Sequence, residues 1–162
     1  MYVRFPFSWP VAVVLLLASA APATAVTHYV KGSATGAADG TSWVNAFTTL
    51  QDALAAAAPS DDIWVAQGVY YPDEGGGEVD GDQAASFKIV AEVSVHGGFG
   101  GFEAFLSQRR PSFHLTVLSG DIGQDDNDPD GDGVIVAPVD IVGGNSGHVV
   151  RSSTATATSR IT

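Results

Sequence analysis

Short apolar runs separated by glycine-rich turns fill the chain from Asp62 onward, and they set the first structural expectation. Residues 63–66, 86–90, 93–95, 115–118, 134–136 and 149–150 are too short for stable helices, so they predict strands. Glycines at 68, 75–77, 97–98, 100–101, 120 and 143–144 punctuate them as turns. One segment follows a different period. Across residues 46–58 the apolar positions Phe47, Leu50, Leu54 and Ala57 recur at steps of three and four, which places them on one helical face. Pro59 ends that helix, because proline donates no backbone hydrogen bond and disfavours helix at the residue before it. Before the helix, residues 26–31 form a β-type run and residues 32–41 a Gly/Ala/Asp turn region.

The uneven spacing of the runs excludes a strict short repeat. It fits coils of about 20 to 30 residues that carry loop insertions, as solenoids tolerate. Residues 73–83 and 121–132, both acidic and poor in apolar side chains, read as two such insertions. The 19 glycines and the Ala/Val/Thr-rich runs favour a β architecture with many turns over a helical bundle.

Residues 1–25 read as a targeting segment. Arg4 gives a positive start, residues 11–18 (VAVVLLLA) form a short apolar core, and Ala-Thr-Ala at 23–25 matches the small-residue cleavage pattern. The core falls well short of the roughly 20 residues that span a bilayer. Cleavage after Ala25 is therefore expected, giving a mature chain with no transmembrane span that is secreted, extracellular or outer-membrane associated. The formal net charge is −11, and loss of Arg4 makes it more negative. That balance argues against nucleic acid and anionic membrane as partners, since both select basic surfaces. Without cysteine, the exported chain must rely on core burial, repeat stacking or bound metal instead of disulfides.

Several segments then occur in a telling order: Thr41-Ser42-Trp43, the helix at 46–58, and Ile63-Trp64-Val65-Ala66-Gln67-Gly68-Val69-Tyr70. Gly97-Gly98-Phe99 with Phe102-Glu103, Ser107-Gln108-Arg109 and Leu118-Ser119-Gly120-Asp121 follow. In this order, over residues 27–150, the chain resembles the N-terminal region of bacterial secreted right-handed parallel β-helix repeat proteins. That is the pectin-lyase-like group, with its polymorphic outer-membrane and choice-of-anchor types. The resemblance implies an all-β solenoid, with residues 26–150 forming its N-terminal cap, including the capping α-helix, and its first coils. It also implies that a long solenoid follows, often with a surface-attachment signal. Residues 151–162 (RSSTATATSRIT) carry neither strand pattern nor such a signal, so they read as a Ser/Thr-rich tail, disordered or the truncated end of a solenoid. An uncapped final coil would expose a strand edge and favour end-to-end self-association.

The strongest chemical candidate is the stretch from Asp125 to Gly133. Asp126, Asp128, Asp130 and Asp132 alternate, and Gly131 permits a sharp turn, so their oxygens can converge on one hard cation. Ca²⁺ suits such a set because it accepts six to eight oxygens in flexible geometry. The spacing imitates the start of a D-x-[DN]-x-[DN]-G loop, but Ala137 stands where the closing glutamate should be, counting from Asp126. A solvated acidic insertion is the alternative. A second acidic loop, with Asp73, Glu74, Glu78, Asp80 and Asp82 around three consecutive glycines, reads as a mobile solvated loop.

Other templates are weaker. Residues 97–102 lack the Lys-Ser/Thr of a P-loop and the spacing of a dinucleotide fingerprint. They read as a strand-to-turn element with Phe99 and Phe102 buried between coils. Residues 109–114 approach the Arg-x-Pro-x-x-Arg motif of some pectate lyases, but His114 takes the last position, so Arg109 and Arg110 are expected to pair with nearby carboxylates. His28, His96, His114 and His148 show no paired zinc spacing, and Ser146 sits one residue short of a G-x-S-x-G elbow. Trp43, Trp64, Tyr70 and Tyr71 are expected as buried cap and core aromatics, not as a sugar-stacking platform. No residue is assigned a catalytic role. The leading reading is an exported, non-catalytic β-helix module with a structural, adhesive or glycan-binding role, whose partner is a polysaccharide or cell-surface glycan. The alternative is the N-terminal fragment of a polysaccharide lyase or glycoside hydrolase acting on acidic polysaccharide.

Overall fold

The computed structural model describes residues 24–90, 92–152 and 160–162. The expected leader falls almost wholly on residues 1–23, outside the described residues. Of the expected tail, residues 153–159 lie outside them, while residues 150–152 and 160–161 are strands, where the sequence showed no strand pattern beyond residue 150.

Strand β1 (Thr27–Val30) is followed by helix α1 (Leu50–Ala56) and then by β2 (Asp62–Ala66), β3 (Gly68–Tyr70) and β4 (Phe87–Ile89). β5 (Ser94–Phe99), β6 (Thr116–Leu118), β7 (Val150–Ser152) and β8 (Arg160–Ile161) complete the described strands. Every strand pair is parallel. One sheet has the order β1-β2-β5-β8, a second pairs β3 with β6, and a third pairs β4 with β7. The chain therefore visits three sheets in turn through β2, β3 and β4, then visits the same three in the same order through β5, β6 and β7. Parallel neighbours need a long crossover; the one from β1 to β2 runs through α1, and each later one runs through the other two sheets.

α1 is shorter than the apolar spacing predicts, for reasons visible at both ends. Phe47 is already tied to β1: its N–H donates to the Tyr29 carbonyl at 2.9 Å, and its own carbonyl accepts from Lys31 N at 2.9 Å. The chain can turn helical only after that bridge. Thr49 then caps the helix in extended conformation, its hydroxyl accepting from Asp52 N, and Asp52 sits in the first turn where negative charge is favoured. Ala57 leaves in extended conformation ahead of Pro59. The predicted face survives, with Leu50, Ala53 and Leu54 buried and Phe47 and Ala57 packed at their margin.

This helix lies over a core of Val30, Ile63, Val65, Phe87, Ile89, Val93 and Val95. The other face of the first sheet is covered as well. Trp64 stacks on Phe99 with ring centroids 4.8 Å apart, while Tyr29 meets both Trp43 and Trp64 edge-on. Burial on both faces is the usual condition of a parallel sheet, and it accounts for the run Ile63-Trp64-Val65-Ala66 having no polar alternation. Trp64 and Tyr70 are buried as expected, whereas Trp43, packed on Tyr29 and Phe99, and Tyr71 are only half-buried; burial pushes the Tyr70 phenol up to about 12.

Three local expectations differ from the structure. β3 was not anticipated, since three residues are too few to display an alternation. Residues 134–136 form no strand; Val136 is 85% exposed in a loop with no parallel neighbour. Phe99 is buried as expected but Phe102 is 76% exposed, because Gly100 and Gly101 turn the chain outward between them.

The buried side chain of Gln51 ties the lid to the core. Gln51 Nε2 donates to the carbonyls of Pro72 and Ser86, joining α1 to the segment after β3 and to the residue before β4. Gln51→Leu would leave two buried carbonyls without a donor and is expected to cost about 1–3 kcal/mol in urea unfolding. An unchanged urea midpoint would count against this role for Gln51.

Candidate functional site

The two acidic insertions leave the stacked strands at one corner. Residues 71–86 connect β3 to β4, and residues 119–149 connect β6 to β7. Because β3 pairs with β6 and β4 with β7, the insertions must lie against each other. Gln124 Nε2 donates to Glu74 Oε1 at 2.7 Å, and Gly147 N donates to the Gln83 carbonyl at 3.0 Å. Between the loops and β3 lies a cleft of about 200 Å³ whose lining includes Val69, Tyr71, Asp121, Gln124, Asp126 and Asp128.

The carboxylates of this corner hold the loop in shape. Asp121 is buried, and its two oxygens accept from Asp125 N and Asp126 N at 3.2 and 3.1 Å. Asp126 Oδ1 accepts from Val142 N at 2.6 Å, which fastens the two ends of the insertion. Asp128 accepts from Gly131 N and Gly133 N at 3.0 and 2.7 Å, and Asp132 from Val134 N at 2.8 Å. These bonds are those of a solvated loop that satisfies its own backbone, and each carboxylate retains lone pairs for a further partner.

The expected cation set is divided by this geometry. Asp128, Asp130 and Asp132 each offer an oxygen within 4.8 Å of the others, whereas Asp126 groups with Asp121 and Asp125. The Val142 and Asp121 contacts draw Asp126 inward, away from the outer trio. In the trio, the Gly133 N–H holds Asp128 below the usual carboxylate range. Asp130 is pushed up by its hydrogen bond with Asp128 and by the charge of Asp132. A proton on Asp130 relieves the repulsion among three neighbouring carboxylates, and a hard, oxygen-seeking cation such as Ca²⁺ would relieve it in the same way. Tyr71, at the cleft wall, is pushed up by burial and then by Asp121, Glu74 and Asp128, so it stays a protonated donor.

The basic segment 109–114 lies elsewhere. Arg109 NH1 donates to the carbonyl and hydroxyl of Thr162, at 2.7 and 3.1 Å. Among the described residues neither Arg109 nor Arg110 forms the expected carboxylate pair; the ion pairs found are His28–Asp61, Lys88–Glu78 and His96–Asp62. Arg109, Arg110 and His114 line a cleft of about 520 Å³ together with the exposed Phe102. Glu103, at its edge, is committed to the framework. It is only 6% exposed and accepts from the N–H groups of Gly100, Gly101 and Phe102 at 2.7, 3.0 and 3.0 Å. Burial pushes its carboxyl up, but these donors outweigh that effect and hold it below the ordinary value. Gly98 lies behind the same turn with φ +90°, and a Cβ there would meet Pro111 at 2.7 Å.

The histidines are spread apart, each with its own partner: His28 with Asp61, His96 with Asp62 and Thr162, His114 with Gln67 and His148 with Arg151. Sequence reasoning placed Asp121 in the acidic insertion but not in a group with Asp125 and Asp126, and it missed Tyr71 at the acidic corner and Glu103 as a turn anchor. Tyr71 reaches the corner only because β3 and β6 become neighbours, and that pairing has no local signal; Asp121 and Glu103 accept from N–H groups within five residues, but nothing in their spacing marks those turns. No family model matches the chain, and neither the curated proteins nor the solved structures gave a match.

Millimolar Ca²⁺ is expected to raise the melting temperature by a few degrees, since a ligand bound only by the folded state stabilises it by mass action. Asp128→Asn with Asp130→Asn should remove that shift; superimposable melting curves in calcium and in chelator would leave the loop as a solvated insertion. Glu103 gives a pH test. Its folded pKa is depressed, so its stabilisation is present above the unfolded value of about 4.3 and is lost as pH falls through the folded value. Glu103→Gln should therefore be less stable than the parent protein at pH 6, with the gap closing toward pH 3. A gap that stays constant with pH would contradict this reading.

Proposed function

We propose that the chain forms the cap and first coils of an exported right-handed parallel β-helix, acting as a structural, adhesive or glycan-binding module without turnover of its own. The observation that supports this most is the repeated order of strands: β2-β3-β4 and β5-β6-β7 supply the same three sheets in succession, all in parallel. The segment order that resembles secreted β-helix proteins agrees with it, as does the leader-like composition of residues 1–25. No helix among the described residues is long and apolar enough to cross a membrane.

On this reading α1 and residues 40–47 close one end of the stack, and the free edges of β6 and β7 accept the following coil or a second copy of the chain. The insertions at the acidic corner, with the Phe102–Arg109–Arg110–His114 cleft, are the surfaces offered to polysaccharide or cell-surface glycan. The cleft favours one second reading, the N-terminal part of a lyase or hydrolase acting on acidic polysaccharide, because two arginines and a histidine there suit a carboxylated sugar.

Incubation of the exported protein with polygalacturonate separates the two. Retention on the polymer without a rise in ultraviolet absorbance or new reducing ends is the expected result. Accumulation of either product would establish turnover and overturn the non-catalytic reading.

A further inference from the structure

The backbone at the expected cleavage point is held in an unusual way. Thr24, Ala25 and Val26 are exposed, so the Ala25–Val26 peptide bond is open to attack, yet Val26 itself is fixed at both of its polar groups. Its N–H donates to Asp61 Oδ1 at 2.8 Å, and its carbonyl accepts from Asp62 N at 2.9 Å. The other oxygen of Asp61 accepts from Ala58 N at 2.9 Å and lies 3.1 Å from His28 Nε2. Asp61 is only 6% exposed and sits where the C-terminal end of α1 meets the start of β2, beside the first strand. Burial works against its charge, but the Ala58 and Val26 N–H groups and His28 outweigh it and keep the carboxyl ionised. No Lys or Arg among the described residues pairs with it.

We propose that removal of the leader after Ala25 converts this contact into an ion pair, so that the new α-ammonium of Val26 latches the cap of the mature protein onto Asp61. The inference rests on the export reading above and adds to it a structural consequence of processing. In the cleavage, water adds to the Ala25 carbonyl carbon and the C–N bond breaks. Ala25 departs with the leader as a carboxylate, and the Val26 nitrogen takes up protons. That nitrogen is the atom already 2.8 Å from Asp61 Oδ1, so the charge arises in place with no rearrangement. An α-amine has an ordinary pKa of about 7.7–8.0 and is largely protonated at neutral pH, more so beside a carboxylate. Before cleavage the buried Asp61 charge is met by amide dipoles and an imidazole. Afterwards a full positive charge faces it, and charge-assisted hydrogen bonds are roughly twice as strong as neutral ones. The precursor is thereby left with a looser cap than the mature chain.

The test compares two exported full-length products, one from the natural chain and one with Gly-Ser inserted between Ala25 and Val26, which keeps Val26 N as an amide. N-terminal sequencing should find Val26 first in the former. That product should melt about 3–6 °C above the extended one, and Asp61→Asn should abolish the difference. Should Asp61→Asn fail to fold, amine reactivity supplies a second readout: at neutral pH the Val26 α-amine should be acylated about tenfold more slowly than the extended N-terminus, one unit of pKa. A natural product beginning at another residue would overturn both the cleavage position and the latch. A product beginning at Val26 with the same melting temperature and amine reactivity as the extended chain would leave export standing and overturn the latch alone.

Discussion

Backbone hydrogen bonding between parallel neighbours is the constraint on which the rest of this molecule depends. β2 has no partner within its own segment; its donors and acceptors are met by β1 on one side and by β5 on the other, each more than thirty residues away. Such pairing requires long connections; the one from β1 carries α1, and the one to β5 contributes strands to two more sheets on the way round. The outer edge of β1 is the place where stacking stops. There Gly40 accepts from Tyr29 N and Phe47 exchanges bonds with Tyr29 and Lys31, so the edge is closed by the chain itself before α1 covers the apolar interior. Residues 57–62 return from that lid to β2, and Asp61 gathers Val26, His28 and Ala58 at the junction.

Where connections are allowed to lengthen follows from the same constraint. Between β2 and β3 only Gln67 intervenes, although residues 100–115 separate β5 from β6, and the passage into the third sheet is long on both circuits. Acidic side chains accumulate in those passages, and their function in the fold is largely local. Asp121, Asp126, Asp128 and Asp132 accept from loop N–H groups that no strand can serve. A chain with few cations has little else with which to hold such loops. A cation at Asp128, Asp130 and Asp132 would thus be added to a loop that is already self-supporting, and would be drawn by repulsion left over after the backbone is satisfied.

The sequence made some of this plain and hid the rest for physical reasons. β2 was legible because a sheet covered on both faces needs an unbroken apolar run, and Ile63-Trp64-Val65-Ala66 has one. The apolar face of α1 was legible because Leu50 and Leu54 keep helical spacing, although its start was misplaced by the Phe47 bridge, a contact with a strand some twenty residues earlier. β3 was too short to announce itself. The aspartate run is legible as a candidate for metal, but period alone could not say that Asp126 would bond Val142 and group with Asp121 and Asp125, apart from the next three carboxylates. Asp61 was passed over altogether. The first of two aspartates after Pro59 resembles any turn residue until Val26 is seen to lie beside it.

Cross-linking across one parallel pair tests the stacked-strand arrangement most directly. The chain contains no cysteine, so a designed pair has no competitor. Lys88 on β4 and Arg151 on β7 are register partners, both exposed, and separated in sequence by the larger acidic insertion. Lys88→Cys with Arg151→Cys should form a disulfide rapidly under mild oxidation, since neighbouring strands lie about 4.8 Å apart and disulfides accept Cα separations of about 4.4–6.8 Å. The control pair Lys88→Cys with Val136→Cys should remain reduced. Failure of the 88–151 pair to link while both thiols are accessible to alkylation, or equal linking by the control pair, would contradict the stacking.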